Sequence, residues 1–213
     1  MVFVNETKKQ LCDNIIFMNT KAFVLNCPVE LCNVQEAVFF ADNAIKNKQN
    51  FQIITINPEM IMNAQKNEAF FNILNNSDLN IADGIGVKIA LKLQKINQEQ
   101  IRGVDFSREL IKLANENNYR VAFLGAKEEV ISLAKDNFLK QYPGLNVVYV
   151  RNGYFEDDEK IIEEIKIANP QILLVGLGSP KQEELISKLK THLSGCVMVG
   201  VGGSFDVFSG IVK

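Results

Sequence analysis

The sequence predicts an α/β fold, with a mainly parallel sheet covered by helices on both faces. Two observations predict it. Along the 213 residues, the spacing of apolar side chains switches repeatedly between a strand period of two and a helix period near 3.6, and each predicted strand ends in small or polar residues that lead into a helix. No repeat, low-complexity tract or Pro/Gly-rich linker divides the chain, so we expect residues 1–213 to form a single domain.

The amino-terminal part of the chain begins with two short apolar segments, residues 15–17 and 22–25, which could be strands. Asn33 is then predicted to cap a helix, because Glu36 stands three residues later, the spacing of a capping box. The apolar pattern indicates that this helix runs to about Lys46.

Strand leads directly into helix at the end of the next segment. Residues 51–56 are predicted to be a strand, and Asn57 followed by Pro58 indicates an N-cap and a proline at the first helical position. Five further segments have the same strand pattern, namely residues 79–82, 119–124, 146–150, 171–175 and 196–199. Ligands of such sheets bind at the carboxyl ends of the strands, so the loops that follow them are the candidate sites.

The composition excludes several classes of protein. With 23 Lys and Arg against 25 Asp and Glu, the chain has a net charge of -2 and no overall attraction to nucleic acid. Cys12, Cys27, Cys32 and Cys196 have no CxxC spacing and only His192 beside them, so we expect reduced thiols and no zinc site. The amino terminus lacks a signal peptide pattern, and no apolar run approaches the ~18–20 residues of a membrane span, which predicts a cytoplasmic location.

Asp83 is the best candidate for a catalytic group. It directly follows a short apolar strand, and Gly84 after it allows the backbone to approach a bound substrate closely. A carboxylate at the carboxyl end of a strand can accept the proton of a substrate hydroxyl. The alternative is that Asp83 only caps the following helix, and the spacing supports both interpretations equally.

The segment from Gly178 to Gln182 has the pattern of a capping box, with Ser179 as N-cap and Gln182 three residues later. The helix N-terminus, together with the charge of Lys181, would suit a diphosphate. The alternative is a well-capped turn with Lys181 in solvent, which capping alone favours.

Polar residues after two other strands could complete a sugar-nucleotide site. Thr55 and Asn57 point to the same side of a strand end and could orient a sugar, although Asn57 is also explained as a cap. Gly202, Gly203 and Asp206 resemble a phosphate or ribose loop, with a turn and a helix cap as the alternative.

An aromatic loop and an acidic run lie between these candidates. Tyr154 could provide a platform for a base, although an aromatic side chain in a loop more often packs against the protein. The acidic residues 156–159 lack the pattern of a calcium loop and are typical of a helix N-terminus.

Seven motifs, in order along the chain, together resemble one family. They are Thr55-Ile-Asn-Pro-Glu, Ala82-Asp-Gly-Ile-Gly-Val, Arg102-Gly-Val-Asp, Tyr142-Pro-Gly-Leu, Asn152-Gly-Tyr-Phe, Val175-Gly-Leu-Gly-Ser-Pro-Lys-Gln-Glu and Gly200-Val-Gly-Gly-Ser-Phe-Asp-Val. Along nearly its whole length the chain resembles the WecG/TagA/CpsF glycosyltransferases. The resemblance implies a Rossmann-like fold and an inverting, metal-independent transfer without a cofactor.

The resemblance also implies the substrates and the roles of the loops. The transferred sugar would be N-acetylmannosamine or a related sugar, moved from a UDP donor to undecaprenyl-diphosphate-linked N-acetylglucosamine for teichoic acid, capsule or another surface polysaccharide. The family's base corresponds to Asp83, its sugar pocket to Thr55 and Asn57, and its nucleotide region to Gln182 and Asp206.

The sequence departs from the family pattern in two places. Gln100 stands where many members have an arginine, which leaves Arg102, Lys181 or the basic tail of the family as the source of a cation for the leaving diphosphate. Members usually continue beyond the position of Lys213 with a basic tail, and the resemblance implies that this tail docks on the inner face of the cell membrane. The expected protein is therefore peripheral when that tail is present. The oligomeric state is left open.

Two alternative functions remain. A nicotinamide-dependent oxidoreductase would need Gly-x-Gly-x-x-Gly/Ala after a strand, but the Gly-x-Gly pairs at 84–86 and 176–178 have Ile89 and Lys181 at the last position. A nucleotide-sugar-binding protein without transfer activity would retain the pocket and lack the reaction.

Overall fold

A computed structural model describes residues 20–212, and its centre is an eight-stranded sheet with the order β1-β2-β4-β3-β8-β7-β5-β6. Strands β1 and β2 pair antiparallel, and every other neighbouring pair is parallel. The strands are β1 (Lys21–Val24), β2 (Cys27–Glu30), β3 (Phe51–Ile56), β4 (Leu79–Ala82), β5 (Val121–Gly125), β6 (Val147–Arg151), β7 (Ile172–Gly176) and β8 (Val197–Gly200).

Helices fill most of the connections between these strands. In the part of the chain that is described, they are α1 (Val34–Lys46), α2 (Pro58–Ala64), α3 (Glu68–Asn76), α4 (Ile85–Leu93), α5 (Gly103–Asn117), α6 (Glu128–Gln141), α7 (Asp158–Ala168), α8 (Lys181–Leu189) and α9 (Ser204–Phe208). Between residues 20 and 212 no helix is long and apolar enough to cross a bilayer.

The two faces of the sheet are both buried. Successive side chains of a strand point to opposite faces, and in β3 Ile53 packs with α1, α5, α6 and α9 while Ile54 packs with α2, α3 and α4. Helices α7 and α8 cover the second face over β5, β7 and β8. This arrangement confirms the predicted α/β fold with helices on both faces.

Local capping signals predicted the first helix correctly. The Asn33 side chain accepts from the Glu36 N–H at 2.9 Å, and the Glu36 carboxylate accepts from the Asn33 N–H at 2.8 Å. Helix α1 ends at Lys46, as its apolar pattern indicates. The acidic run also begins a helix, because the side chain of Asp157 caps α7.

The amino-terminal hairpin was predicted only in part. The predicted strand at 22–25 is β1, whereas the possible strand at 15–17 lies outside the described residues. The partner strand β2 was missed, because the turn between the strands uses Leu25 and Asn26 at φ 49° and 63° instead of glycine. Cys27, Cys32 and Cys196 are buried free thiols, and Cys12 is not among the described residues.

The strand order determines which loops meet. Strands β4, β3, β8 and β7 are consecutive neighbours in the sheet, and all four are parallel. Their carboxyl ends therefore lie side by side at one edge, where polar side chains after each strand can line a common site.

Candidate active site

Loops after four neighbouring strands enclose a cavity of about 390 Å³, which we name the first cavity. Seven of the residues predicted from the sequence line it: Thr55, Asn57, Asp83, Ser179, Gln182, Gly202 and Gly203. Glu59, Met60 and Asn63 of α2 also line it and were not predicted. The sequence indicates them only through the helical spacing after Asn57, since Glu59 and Asn63 are four residues apart and lie on one face of α2.

A second cavity of about 440 Å³ lies next to the first. Its wall includes Gln100, Arg102 and Arg108, and it shares Thr55, Asp83 and Val201 with the first cavity. The two cavities therefore meet at a hydroxyl and a carboxylate.

The carboxylate of Asp83 is held by the first residue of α5 and by a residue of the loop before α5, and not by the helix that directly follows it. Its Oδ2 accepts from the backbone N–H of Gly103, the first residue of α5, at 3.2 Å, and its Oδ1 accepts from the Gln100 amide at 3.3 Å. Helix α4 instead has Gly84 as its N-cap, with no side-chain cap bond. The interpretation of Asp83 as the cap of the following helix is thus wrong.

Thr55 and Asp83 both lie next to Gly103. A Cβ on Gly103 would lie 3.4 Å from Asp83 Oδ2 and 3.4 Å from Thr55 Oγ1. The Thr55 hydroxyl donates to the carbonyl oxygen of Gly200 at a long 3.4 Å. This bond is weak, so the hydroxyl is readily available to a ligand in either cavity.

Asn57 caps a helix, as the sequence predicts, and its role in orienting a sugar stays a prediction. It is the N-cap of α2, with Pro58 at the first helical position, and its Oδ1 accepts from the Met60 N–H at 3.0 Å. The same side chain lines the first cavity. Its amide nitrogen donates to no other described residue, which leaves a hydrogen-bond donor for a ligand.

The capping box predicted at Ser179 and Gln182 is wrong. Helix α8 begins at Lys181 with Pro180 as N-cap and no side-chain cap bond. The N–H that a Ser179 cap would satisfy, that of Gln182, donates to the Gly178 carbonyl at 3.0 Å. The capping oxygen of Ser179 is therefore not needed, and Ser179 lines the first cavity instead.

The Gln182 side chain links two loops of the first cavity. Its Oε1 accepts from the Gly202 N–H at 3.0 Å, and its Nε2 donates to Glu183 Oε1 at 2.7 Å. Gly202 has a φ of +50°, a conformation that favours glycine, with open space where a side chain would be. The backbone at Gly202 is thus accessible to a ligand.

Glu183 was not singled out from the sequence, because a glutamate in the first turn of a helix usually faces solvent. Here only 1% of it is exposed, and burial raises its pKa to about 7. A signal was present: Glu183 stands three residues before Ile186, on the apolar face of α8.

The profile of the glycosyl transferase WecG/TagA/CpsF family matches residues 22–213 of this chain. The chain belongs to this family. Its members in Staphylococcus aureus (strain NCTC 8325) and Bacillus subtilis (strain 168) are 34% and 36% identical to it over 177 and 170 residues. These stretches cover 82% and 79% of the chain, and 68% and 66% of the relatives.

Both relatives are named N-acetylglucosaminyldiphosphoundecaprenol N-acetyl-beta-D-mannosaminyltransferase. That name describes a transferase whose acceptor is a sugar on a lipid diphosphate. The family resemblance inferred from the seven motifs is therefore confirmed, and so is the class of the protein as a glycosyltransferase.

Three predicted residues of this glycosyltransferase line neither cavity. Tyr154 follows β6, the strand at the edge of the sheet, and 72% of it is exposed. Lys181 places its Nζ 4.8 Å from the centre of the Phe155 ring. Gly178 has open space around it and does not line either cavity. A role of these residues in substrate binding stays a prediction.

The remaining predicted residues lie closer to the site. Gly84 directly follows Asp83, and its φ of +83° requires glycine. Asp206, in α9, has Oδ2 3.6 Å from the position of a Cβ on Gly203. Arg102 lines the second cavity and not the first, with its Nε 2.6 Å from Asp105 Oδ2. A cation at this position faces the second cavity.

Among residues 20–212 no group of three or more His, Cys, Asp or Glu side chains could hold a metal ion. The expectation of a metal-independent reaction stays a prediction.

Proposed function

We propose that this glycosyltransferase moves N-acetylmannosamine, or a related sugar, from a UDP donor to undecaprenyl-diphosphate-linked N-acetylglucosamine, with Asp83 as the base. One observation carries the proposal: the Asp83 carboxylate borders two adjoining cavities, as a base must when it activates one substrate to attack another. The names of the two relatives support the choice of sugar and acceptor.

The first cavity suits the donor. The Ser179 hydroxyl and the backbone of Gly203 provide hydrogen bonds to a nucleotide diphosphate, while Gln182 supports this loop from behind by accepting from the Gly202 N–H. The Thr55 hydroxyl and the Asn57 amide lie between that region and Asp83, where they can orient the sugar.

The second cavity suits the acceptor. Arg102 and Arg108 both contact Asp105, at 2.6 Å and 3.6 Å, so one carboxylate faces two guanidinium groups. One positive charge remains uncompensated within this group. Because guanidinium groups bind phosphate oxygens well, the acceptor's diphosphate would be held here, with its sugar directed toward Asp83.

The proposed reaction is a single displacement. Asp83 takes the proton of an acceptor hydroxyl, whose oxygen attacks the anomeric carbon of the donor as the bond from that carbon to UDP breaks. UDP leaves with the electron pair, and the proton passes from Asp83 to solvent. Attack opposite to the leaving group inverts the configuration, so an α-linked donor would give a β-linked product, the configuration in the relatives' names.

The location follows from the acceptor. Because undecaprenyl diphosphate is anchored in a bilayer, the protein would act as a peripheral protein at the inner face of the cell membrane, where UDP-sugars are available. No metal or organic cofactor takes part in the proposed reaction; the Ser179 hydroxyl and the backbone N–H of Gly203 meet the charge on departing UDP.

A transfer assay tests this proposal. The protein is incubated with radiolabelled UDP-N-acetylmannosamine and a short-chain polyprenyl-diphosphate N-acetylglucosamine, with and without EDTA. We expect a labelled β-linked disaccharide on the lipid, in equal amounts with and without chelator. UDP binding without transfer would support a binding protein instead, and a thermal shift with NADH but none with UDP would support an oxidoreductase.

A further inference from the structure

The buried pair formed by Gln182 and Glu183 lies directly behind the first cavity. We propose that Glu183 is a positioning residue: it fixes the amide of Gln182 in the one orientation that holds the Gly202 loop open for the donor. This inference rests on the proposed function, because it assigns the donor to the first cavity.

The hydrogen bonds around Gln182 leave its amide one orientation. The Gly202 N–H needs an acceptor and receives Oε1 at 3.0 Å, while the Glu183 carboxyl needs a donor and receives Nε2 at 2.7 Å. A flipped amide would place its NH₂ against the Gly202 N–H and its oxygen against the Glu183 carboxyl. The Gly202 N–H and the ionised Glu183 carboxylate therefore select the same side-chain orientation.

Packing prevents the pair from finding another arrangement. A Cβ on Gly200 would lie 2.6 Å from Gln182 Nε2 and 2.8 Å from Glu183 Oε1, so the backbone of β8 presses on both side chains. The Gln52 side chain donates to the backbone carbonyl of Glu183 at 3.2 Å. Only 4% of Gln182 and 1% of Glu183 are exposed.

Stability alone does not explain a carboxyl group at this place. Glu183 Oε2 forms no hydrogen bond of normal geometry among the described residues, although the Ser179 hydroxyl lies near enough to lower the pKa of the carboxyl, and burying such an oxygen costs free energy. An apolar side chain of similar size would avoid that cost. What an apolar side chain cannot do is accept from Gln182, and sites that violate stability rules in this way are commonly functional.

The role of Glu183 depends on an oxygen and not on a charge. Ionised or protonated, the carboxyl offers an oxygen to Gln182 Nε2, and so does the amide of a glutamine. Glu183→Gln is therefore the conservative variant, which should keep the Gln182 orientation, and Glu183→Leu is the variant that removes the acceptor at nearly constant volume.

Amide hydrogen exchange at Gly202, measured by NMR on the full chain without ligand, tests the arrangement. We expect exchange at least about tenfold faster in E183L than in the wild type, and within about threefold of it in E183Q. Unchanged protection of Gly202 in folded E183L would overturn the proposal. If E183L does not fold, Gly200→Ala displaces the same pair, and unchanged protection in that variant would overturn it equally.

Donor kinetics then separate positioning from a general structural role. We expect the KM for the UDP-sugar to rise about tenfold in E183L, with kcat within about threefold, and both constants to stay near wild type in E183Q. Equal KM values in E183L and the wild type would overturn the proposal. If the wild type binds no UDP while Gly202 exchange responds as expected, the assigned donor is wrong and the link from Glu183 to Gly202 stands.

Discussion

At the scale of single residues, Glu183 gives the fold a dependence on pH. Burial raises the pKa of its carboxyl from 4.5 to about 7; Gln182 and Ser179 oppose the rise, and Glu184 adds to it. The folded state thus binds the proton of Glu183 more tightly than the unfolded state. The stabilisation of the folded state by this proton is complete below pH 4.5 and is lost as the pH rises through 7.

Glu183→Gln should remove this dependence, because glutamine does not titrate. Between pH 4.5 and 8 the wild type is expected to lose up to about 3 kcal/mol of unfolding free energy relative to E183Q. Urea unfolding of both proteins at several pH values measures the difference. A difference in unfolding free energy between the two proteins that stays constant across this pH range would show that Glu183 does not titrate as described.

Thr55 provides a second test at this scale, since its hydroxyl lies at the junction of both cavities. Thr55→Val keeps the shape of the side chain and removes the hydroxyl, and we expect kcat/KM for transfer to fall about 10- to 100-fold, as for a lost hydrogen bond to the substrate. The matched control is Thr191→Val, because the Thr191 hydroxyl is exposed and donates to the backbone carbonyl of Lys188. Equal activity of the two variants would show that the Thr55 hydroxyl makes no hydrogen bond to the substrate.

At the scale of secondary-structure elements, the close contact of α2 with α4 sets the separation of Asn57 from Asp83. A Cβ on Gly86, in α4, would lie 2.5 Å from Pro58 Cγ, in α2, and a proline ring cannot move aside without its helix. The starts of the two helices can therefore lie this close together only because residue 86 has no side chain.

Gly86→Ala should force these helices apart. We expect a loss of about 1–3 kcal/mol of stability from overpacking, reduced by the better helix propensity of alanine, together with lower transfer activity. Thermal unfolding and the transfer assay measure both effects. Gly144→Ala is the control, because its Cβ would meet only Asn115 Oδ1, at an ordinary 3.6 Å. Wild-type stability and activity of G86A would contradict the described contact.

Elements with local signals were predictable from the sequence. The capping box of Asn33 and the proline after Asn57 involve neighbours within three residues, and both occur in the structure. The Ser179 box has the same local pattern and does not form, because the Gly178 carbonyl takes the N–H and a loop 20 residues away takes the Gln182 side chain. Local pattern alone does not reveal such distant partners.

At the scale of the whole molecule, the strand order determines which predicted residues meet. Thr55 lies near the carboxyl end of β3, Asp83 and Gly202 follow the neighbouring strands β4 and β8, and the three residues do lie together. Tyr154 follows β6, with β5 between it and β7, which places it about 10 Å further along the sheet. The sequence indicated every parallel strand except β2 but not the strand order, so it could not separate Tyr154 from the others.

The same order explains why the base was left undecided by the sequence. Asp83 is next to a helix start in sequence, which suggested a cap, but its carboxylate reaches Gly103, 20 residues later. The second cavity, which Arg108 lines, arises where α5 packs beside the loop that follows β4. Both features are contacts between distant parts of the chain, which no local spacing encodes.

Asp83, where the two cavities meet, is the proposed base of the transfer. The most direct measurement compares Asp83→Asn with Glu59→Gln, which alters a carboxylate on the first cavity alone. Radiolabelled transfer to the short-chain acceptor gives kcat, and calorimetry gives the affinity for UDP. We predict that D83N keeps UDP affinity within about threefold and loses at least about a hundredfold in kcat, as for removal of a general base, while E59Q keeps most of its kcat. Retention of most transfer activity in D83N would contradict the account.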